Sequence, residues 1–138
     1  MTHEQSILTA AGLTGVAGIV LGALGAHALE ETLAARETAA AWDTAVRYHL
    51  FHTAALLAAG IWVRVEPGLR GVVPAAWCWV AGLLLFSGSL YALSLGAPAA
   101  LGPVTPLGGL VFMLGWGWLI TAAFRTGKKA TREVPRVE

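Results

Sequence analysis

Charge is what this sequence has least of. Asp, Glu, Lys and Arg make up only 12% of its 138 residues, about half the share of an ordinary soluble domain, so there is too little polar surface to clothe a water-facing globule. The net charge of +1 offers no basic field for nucleic acid, and none is expected as a partner. The lone cysteine, Cys78, excludes an intramolecular disulfide and argues against a thiolate cluster. Catalytic signatures are missing too: there is no GxxxxGK[ST], HExxH or GxSxG. No CxxCH haem attachment exists, and no carboxylate–histidine pattern recurs on a second apolar stretch. The absences point to a protein that is not an enzyme and needs no metal or cofactor.

What is abundant is apolar: 57% of the chain, with 17 glycines and 6 tryptophans. Four stretches, at about 6–29, 39–63, 71–95 and 104–124, each supply the roughly 20 apolar residues that a helix needs to cross a bilayer. The expected fold is all-α, an integral membrane four-helix bundle in one domain over 1–138, with a polar tail at 125–138. Ala26, His27 and Ala28 imitate a signal-cleavage site, but no basic residue precedes the first stretch and three more spans follow. Glu30, Glu31, Arg36 and Glu37, among Ala, Leu and Thr, read as a short interfacial helix between spans one and two.

With four crossings, both termini and the connection between spans two and three share one side. That side holds Arg64, Arg70, Arg125, Lys128, Lys129, Arg132 and Arg136, whereas the other has Arg36 and, at its boundary, Arg47. The positive-inside rule then puts both termini in the cytoplasm of a bacterium. Trp62, Trp77 and Trp79 lie toward the basic interface and Trp42 toward the opposite one, where amphipathic rings favour the headgroup level. Trp116 and Trp118 sit deeper and read as packing or lipid-facing. Membrane lipids are the expected partners, and the tail's basic side chains are within reach of anionic headgroups.

In span one Ala11, Gly15, Gly18, Gly22 and Gly25 form a seam of minimal side chains. Lipid tails give helices no hydrophobic reason to associate, so small residues that let backbones meet mark contact faces. The seam suits either another span of the same chain or a homo-oligomer within a larger membrane complex. Gly88, Gly108 and Gly109 are further packing candidates. In span three Ser87, Tyr91 and Ser94 share one stripe, as hydroxyls that bond a neighbouring helix would. The prolines and glycines of 96–105 predict a stiff turn.

Only span two carries ionisable groups at membrane depth. Asp43 and Arg47 are spaced for an i, i+4 ion pair, and Thr44, Tyr48 and His52 make a second row beside them. His49 points elsewhere, near Trp42 and Thr53, while Val46, Leu50 and Leu57 take the apolar side. An intramembrane charge or histidine demands a partner. One reading is an interfacial salt bridge plus a structural histidine. The alternative is a binder or transporter of a small polar or anionic ligand, built from His27, Trp42, Asp43, Thr44, Arg47, Tyr48, His52, Ser87 and Tyr91. A proton, metal or haem site at His27 and His52 is a third reading, and a hydrolase pairing Ser87 or Ser89 with His52 is a weaker option still.

GALGAHALE at 22–30, WDTAVRYHLFHTAALL at 42–57, SGSLYALSL at 87–95 and GPVTPLGGLVFMLGW at 102–116 together resemble the YgdD-like family of small inner-membrane proteins of unknown function. The matching positions are Gly22, Gly25, His27, Trp42, Thr44, Tyr48, His52, Gly88, Pro103, Thr105, Pro106, Gly108 and Gly109. His49 stands where relatives often have Gln, and Leu24 where they often have Phe. The resemblance implies a compact four-span bundle in the bacterial plasma membrane and no established activity, so the expected role is that of an accessory or structural component acting through lipids or protein partners.

Overall fold

The structure, a computed structural model, describes the backbone of residues 1–68 and 70–132 and the side chains of those up to residue 124. The described residues contain helices and no strand. They run α1 (His3–Ala26), α2 (Glu30–Ala35), α3 (Ala39–Val65), α4 (Val72–Gly82), a π-helical turn (Leu83–Ser87), α5 (Gly88–Ser94), a 3-10 turn (Ala99–Leu101) and α6 (Val104–Arg132). The α6 helix continues past the expected end of span four at residue 124. The tail at 125–138, read as solvated or else resting on anionic headgroups, falls outside the described side chains.

Among the described residues, three helical segments are long and apolar enough to cross a membrane: His3–Ala26, Val72–Ser94 and Ala99–Phe124. The sequence led us to expect four. The remaining helix, α3, has 27 residues and a length of about 40 Å at 1.5 Å per residue, but Asp43, Arg47, Tyr48, His49 and His52 dilute its apolar character.

Residue pairings define how the helices run. Gly15 faces Thr53, Gly18 faces Leu50, Gly22 faces Val46 and Gly25 faces Trp42, so α1 lies antiparallel on α3. Gly82 meets Phe112 and Gly115 meets Trp79, which sets α4 antiparallel to α6. Thr38 reaches Ser94 and Ser87 reaches Ala45, which sets α5 antiparallel to α3. The seam of α1 is therefore used inside the chain. A Cβ on Gly18 would lie 2.7 Å from Leu50 and one on Gly25 would enter the Trp42 indole. The same exchange of glycine for bulk buries two indoles. Trp79 and Trp42 are 1% and 4% exposed, because Gly115 and Gly25 leave room for each ring between helices. Trp42 spends its N–H on the Leu21 carbonyl.

The π-helical turn interrupts span three where α6 begins. One extra residue per turn displaces the chain locally, and Gly108 backs directly onto the main chain of Leu85 and Phe86. Ser89 donates to the Phe86 carbonyl and shares a 2.7 Å hydrogen bond with Thr105, fastening the start of α6 to α5.

The α2–α3 connection closes the same end of the bundle. Thr38 Oγ1 donates to the Ser94 carbonyl at the end of α5, and the Arg36 guanidinium lies over Gly96, where a cation complements the carbonyl end of a helix. Between them Glu37 adopts φ 56° while its N–H and that of Thr38 cap α2 through Ala34 and Leu33, a conformation that usually falls to glycine.

Gly108→Ala should destabilise the bundle by about 1–3 kcal/mol, since main chain cannot yield to the new methyl. Gly109→Ala, whose Cβ would meet Phe86 at an ordinary 3.8 Å, should stay within about 0.5 kcal/mol of wild type. Denaturant titration in detergent micelles, followed by circular dichroism, measures both.

Candidate functional site

The residues proposed from sequence do not converge on one pocket. Arg47, Tyr48 and His52 line a groove of about 740 Å³ with Phe51, Phe86, Pro106, Gly109, Leu110, Phe112, Met113 and Trp116. Trp42 and Asp43 border a smaller recess against α1 and α2. Tyr91 and His49 form the floor of a crevice between α1 and α4–α5. Exposed His27 stands at the end of α1 and is not part of the groove. Thr44 turns its hydroxyl back onto the Ala40 carbonyl of its own helix, and Ser87 donates to the Ala45 carbonyl.

The groove lies between α3 and α6. Tyr48 stands beside Phe112 and His52 beside Trp116, so the two helices run in the same direction. Large side chains join them, while α1, α2, α4, α5 and the π turn come close to α3 along the backbone. The walls are aromatic and aliphatic, and Arg47 is the one charged residue among them. Tyr48 and Phe86 rings lie 4.6 Å apart between centroids. From Pro106 to Trp116 the groove extends about 15 Å along α6 at 1.5 Å per residue.

His52 forms the inner floor, 3% exposed, with its ring stacked on Phe112 at 3.6 Å and 9°. Its tautomer follows from its neighbours. Nδ1 lies 2.9 Å from the Tyr48 carbonyl, which can only accept, so Nδ1 carries the proton. Nε2 then accepts the indole N–H of Trp116 at 3.3 Å. Both ring nitrogens are used, and neither lone pair nor proton is left for a ligand, a metal or a substrate. Ser87 belongs to Ala45 and Ser89 to Phe86 and Thr105, so no serine–histidine couple forms either.

His49 lies on the face of Trp42 and Thr53, as expected: it and Trp42 both pack on Tyr91. It is buried, with Nδ1 3.3 Å from the Tyr91 hydroxyl, which joins α3 to α5. Tyr91 in turn receives Trp42 edge-on at 4.7 Å. Trp116, read as packing or lipid-facing, is both a groove wall and the partner of His52. Its spacing gave no sign of this, because the partner lies 64 residues away in sequence. Ser89, considered from sequence only as a partner for His52, pairs instead with Thr105.

Asp43 and Arg47 do form the expected ion pair, with side chains 56% and 76% exposed. Such a pair contributes roughly 0.2–1 kcal/mol, so it does little for the fold.

His52→Leu keeps the volume but strands the Trp116 N–H, and should lower stability by about 1–3 kcal/mol. Thr44→Ala should stay within about 0.5 kcal/mol. Thermal unfolding of the two variants in one detergent distinguishes them.

The family described as "Protein of unknown function (DUF423)" matches residues 21–109. The chain is 36% identical over 113 residues to the membrane protein YwdK of Bacillus subtilis, covering 82% of this chain and 91% of that one. It is 38% identical over 124 residues to a membrane protein of Haemophilus influenzae, covering 89% and 97%. With the inner membrane protein YgdD of Escherichia coli it shares 35% identity over 130 residues, covering 91% and 95%. No solved structure matches.

Proposed function

Because this chain belongs to the DUF423 family, whose relatives bear the name of membrane proteins, we propose that it is a four-span accessory protein of the bacterial plasma membrane, with both termini cytoplasmic. It performs no chemistry and acts by seating a lipid in the groove between α3 and α6. Four crossings require α3 to be the second span. Its histidines face sister helices, which supports a polar helix shielded at the centre of a bundle, and an even number of crossings agrees with basic residues gathered on one side.

The observation that carries the reading is the state of the groove's polar atoms. An apolar cavity of about 740 Å³ is the size of a small-molecule site. Its single imidazole, however, is consumed by the Tyr48 carbonyl and Trp116, so the polar side chains that still face the space are the Arg47 guanidinium and the Tyr48 phenol. A mostly apolar wall with two such groups suits holding an amphipathic molecule. The depth of about 15 Å is that of one leaflet's hydrocarbon, half of about 30 Å, so a single lipid chain fits its length.

Gly109→Leu fills the groove from a position with room for its Cβ. The variant should retain about tenfold less lipid after gentle detergent purification, equivalent to about 1.4 kcal/mol, at an unchanged unfolding midpoint. Equal lipid retention by the variant and wild type, measured by mass spectrometry, would count against the reading. For topology, a fluorescent protein fused to the carboxyl end should glow and alkaline phosphatase there should be inactive. The reverse pattern overturns the orientation.

A further inference from the structure

If the groove seats a lipid, its mouth indicates which one. Tail contacts cannot choose, because hydrocarbon already wets the groove and an acyl chain entering it gains packing without a transfer free energy. Selectivity has to arise where the groove meets the headgroup layer. Two charged side chains bear on it from successive turns of α3: Arg47, which lines the groove, and Asp43, which borders the neighbouring recess and is joined to Arg47 through Nη2 and Oδ2.

The pair is exposed on both sides and holds no second helix, so it is free to exchange partners. The contact occupies one guanidinium nitrogen, and the remaining N–H donors can take further oxygens. An arginine alone would accept any anionic headgroup. The carboxylate beside it changes the selection, because it repels a purely anionic headgroup and adds an acceptor for a cation within salt-bridge reach of the phosphate position. The complement of an arginine and an aspartate side by side is a headgroup with a phosphodiester and a primary ammonium a few bonds apart. A quaternary ammonium carries no N–H to donate to Asp43 and fits less well.

We propose that the groove binds an aminophospholipid, its phosphate on Arg47, its ammonium on Asp43, and one chain laid along Tyr48, Phe86, Phe112 and Trp116. This rests on the lipid-seat reading, which Gly109→Leu tests separately.

The experiment uses the full chain in nanodiscs with equal parts of phosphatidylethanolamine, phosphatidylglycerol and phosphatidylcholine, released into native mass spectrometry. Wild type should retain phosphatidylethanolamine about fivefold over either competitor, in line with one set of charge-assisted contacts. Asp43→Asn should shift retention toward phosphatidylglycerol, and Arg47→Gln should abolish retention of both, with unfolding midpoints unchanged. Equal retention of all three lipids, still reduced by Gly109→Leu, overturns the headgroup assignment and leaves the groove reading standing. A preference for phosphatidylglycerol that ignores Asp43→Asn does the same. No retained lipid, or a dimer mass whose stability depends on Gly109 in place of lipid, overturns both.

Discussion

Close backbone approach at glycine is what this bundle depends on, because a bilayer withholds the force that assembles soluble helices. Lipid tails are as apolar as leucine, and burying one against another gains little. Dispersion contacts and hydrogen bonds must do the work, and both fall off steeply with distance. Gly18, Gly25, Gly82, Gly108 and Gly115 each stand where a Cβ would collide with a neighbouring helix. In four of these cases the space goes to a side chain of the facing helix, Leu50, Trp42, Phe112 or Trp79. In the fifth, Gly108, it goes to main chain. The glycines are thus complements to large residues elsewhere, and neither member of a pair explains itself alone.

Hydrogen bonding follows the same economy. Away from water a polar side chain must find its partner inside the bundle, and most of the intramembrane polar groups here do. His49 and Tyr91 join α3 to α5, His52 and Trp116 join α3 to α6, and Ser89 and Thr105 join α5 to α6. The polar residues of α3 that make it the least apolar of the long helices are the ones through which it grips its neighbours. Asp43 and Arg47 pair only with each other, and the buried His49 Nε2, Trp79 Nε1 and Ser94 Oγ have no hydrogen-bond partner among the described residues.

Much of this was legible in the sequence, and the reasons divide cleanly. Local spacing revealed the helices, the short α2 and the Asp43–Arg47 pair, since each depends on residues within a turn or two. The small-residue seam of α1 was visible because its period is that of a helix. Which surface it met was not, and the structure settles that on α3. That Trp79 and Trp42 are buried between helices was not legible, because the glycine that admits each one lies on a different helix. The ligand residues were gathered into one set by their polarity, although helix geometry distributes them over three separate recesses. Trp116 escaped because nothing near it in sequence announces His52. The π-helical turn at Leu83–Ser87 has no compositional mark at all, being a consequence of how α6 presses on span three.

That turn also accounts for why a groove exists. Gly108 brings the start of α6 against the main chain at Leu85 and Phe86, and Gly82 and Gly115 keep α6 close to α4 further along. A helix drawn so tightly to one partner cannot lie equally close to the other side of the bundle, and α6 meets α3 through large side chains, among them Tyr48, Phe51, His52, Phe112 and Trp116. Side chains of that size bridge the inner part of the gap and leave the outer part open from Arg47 to Pro106. On the reading proposed above, a lipid seated there would pack against both helices at once and complete the α3–α6 contact.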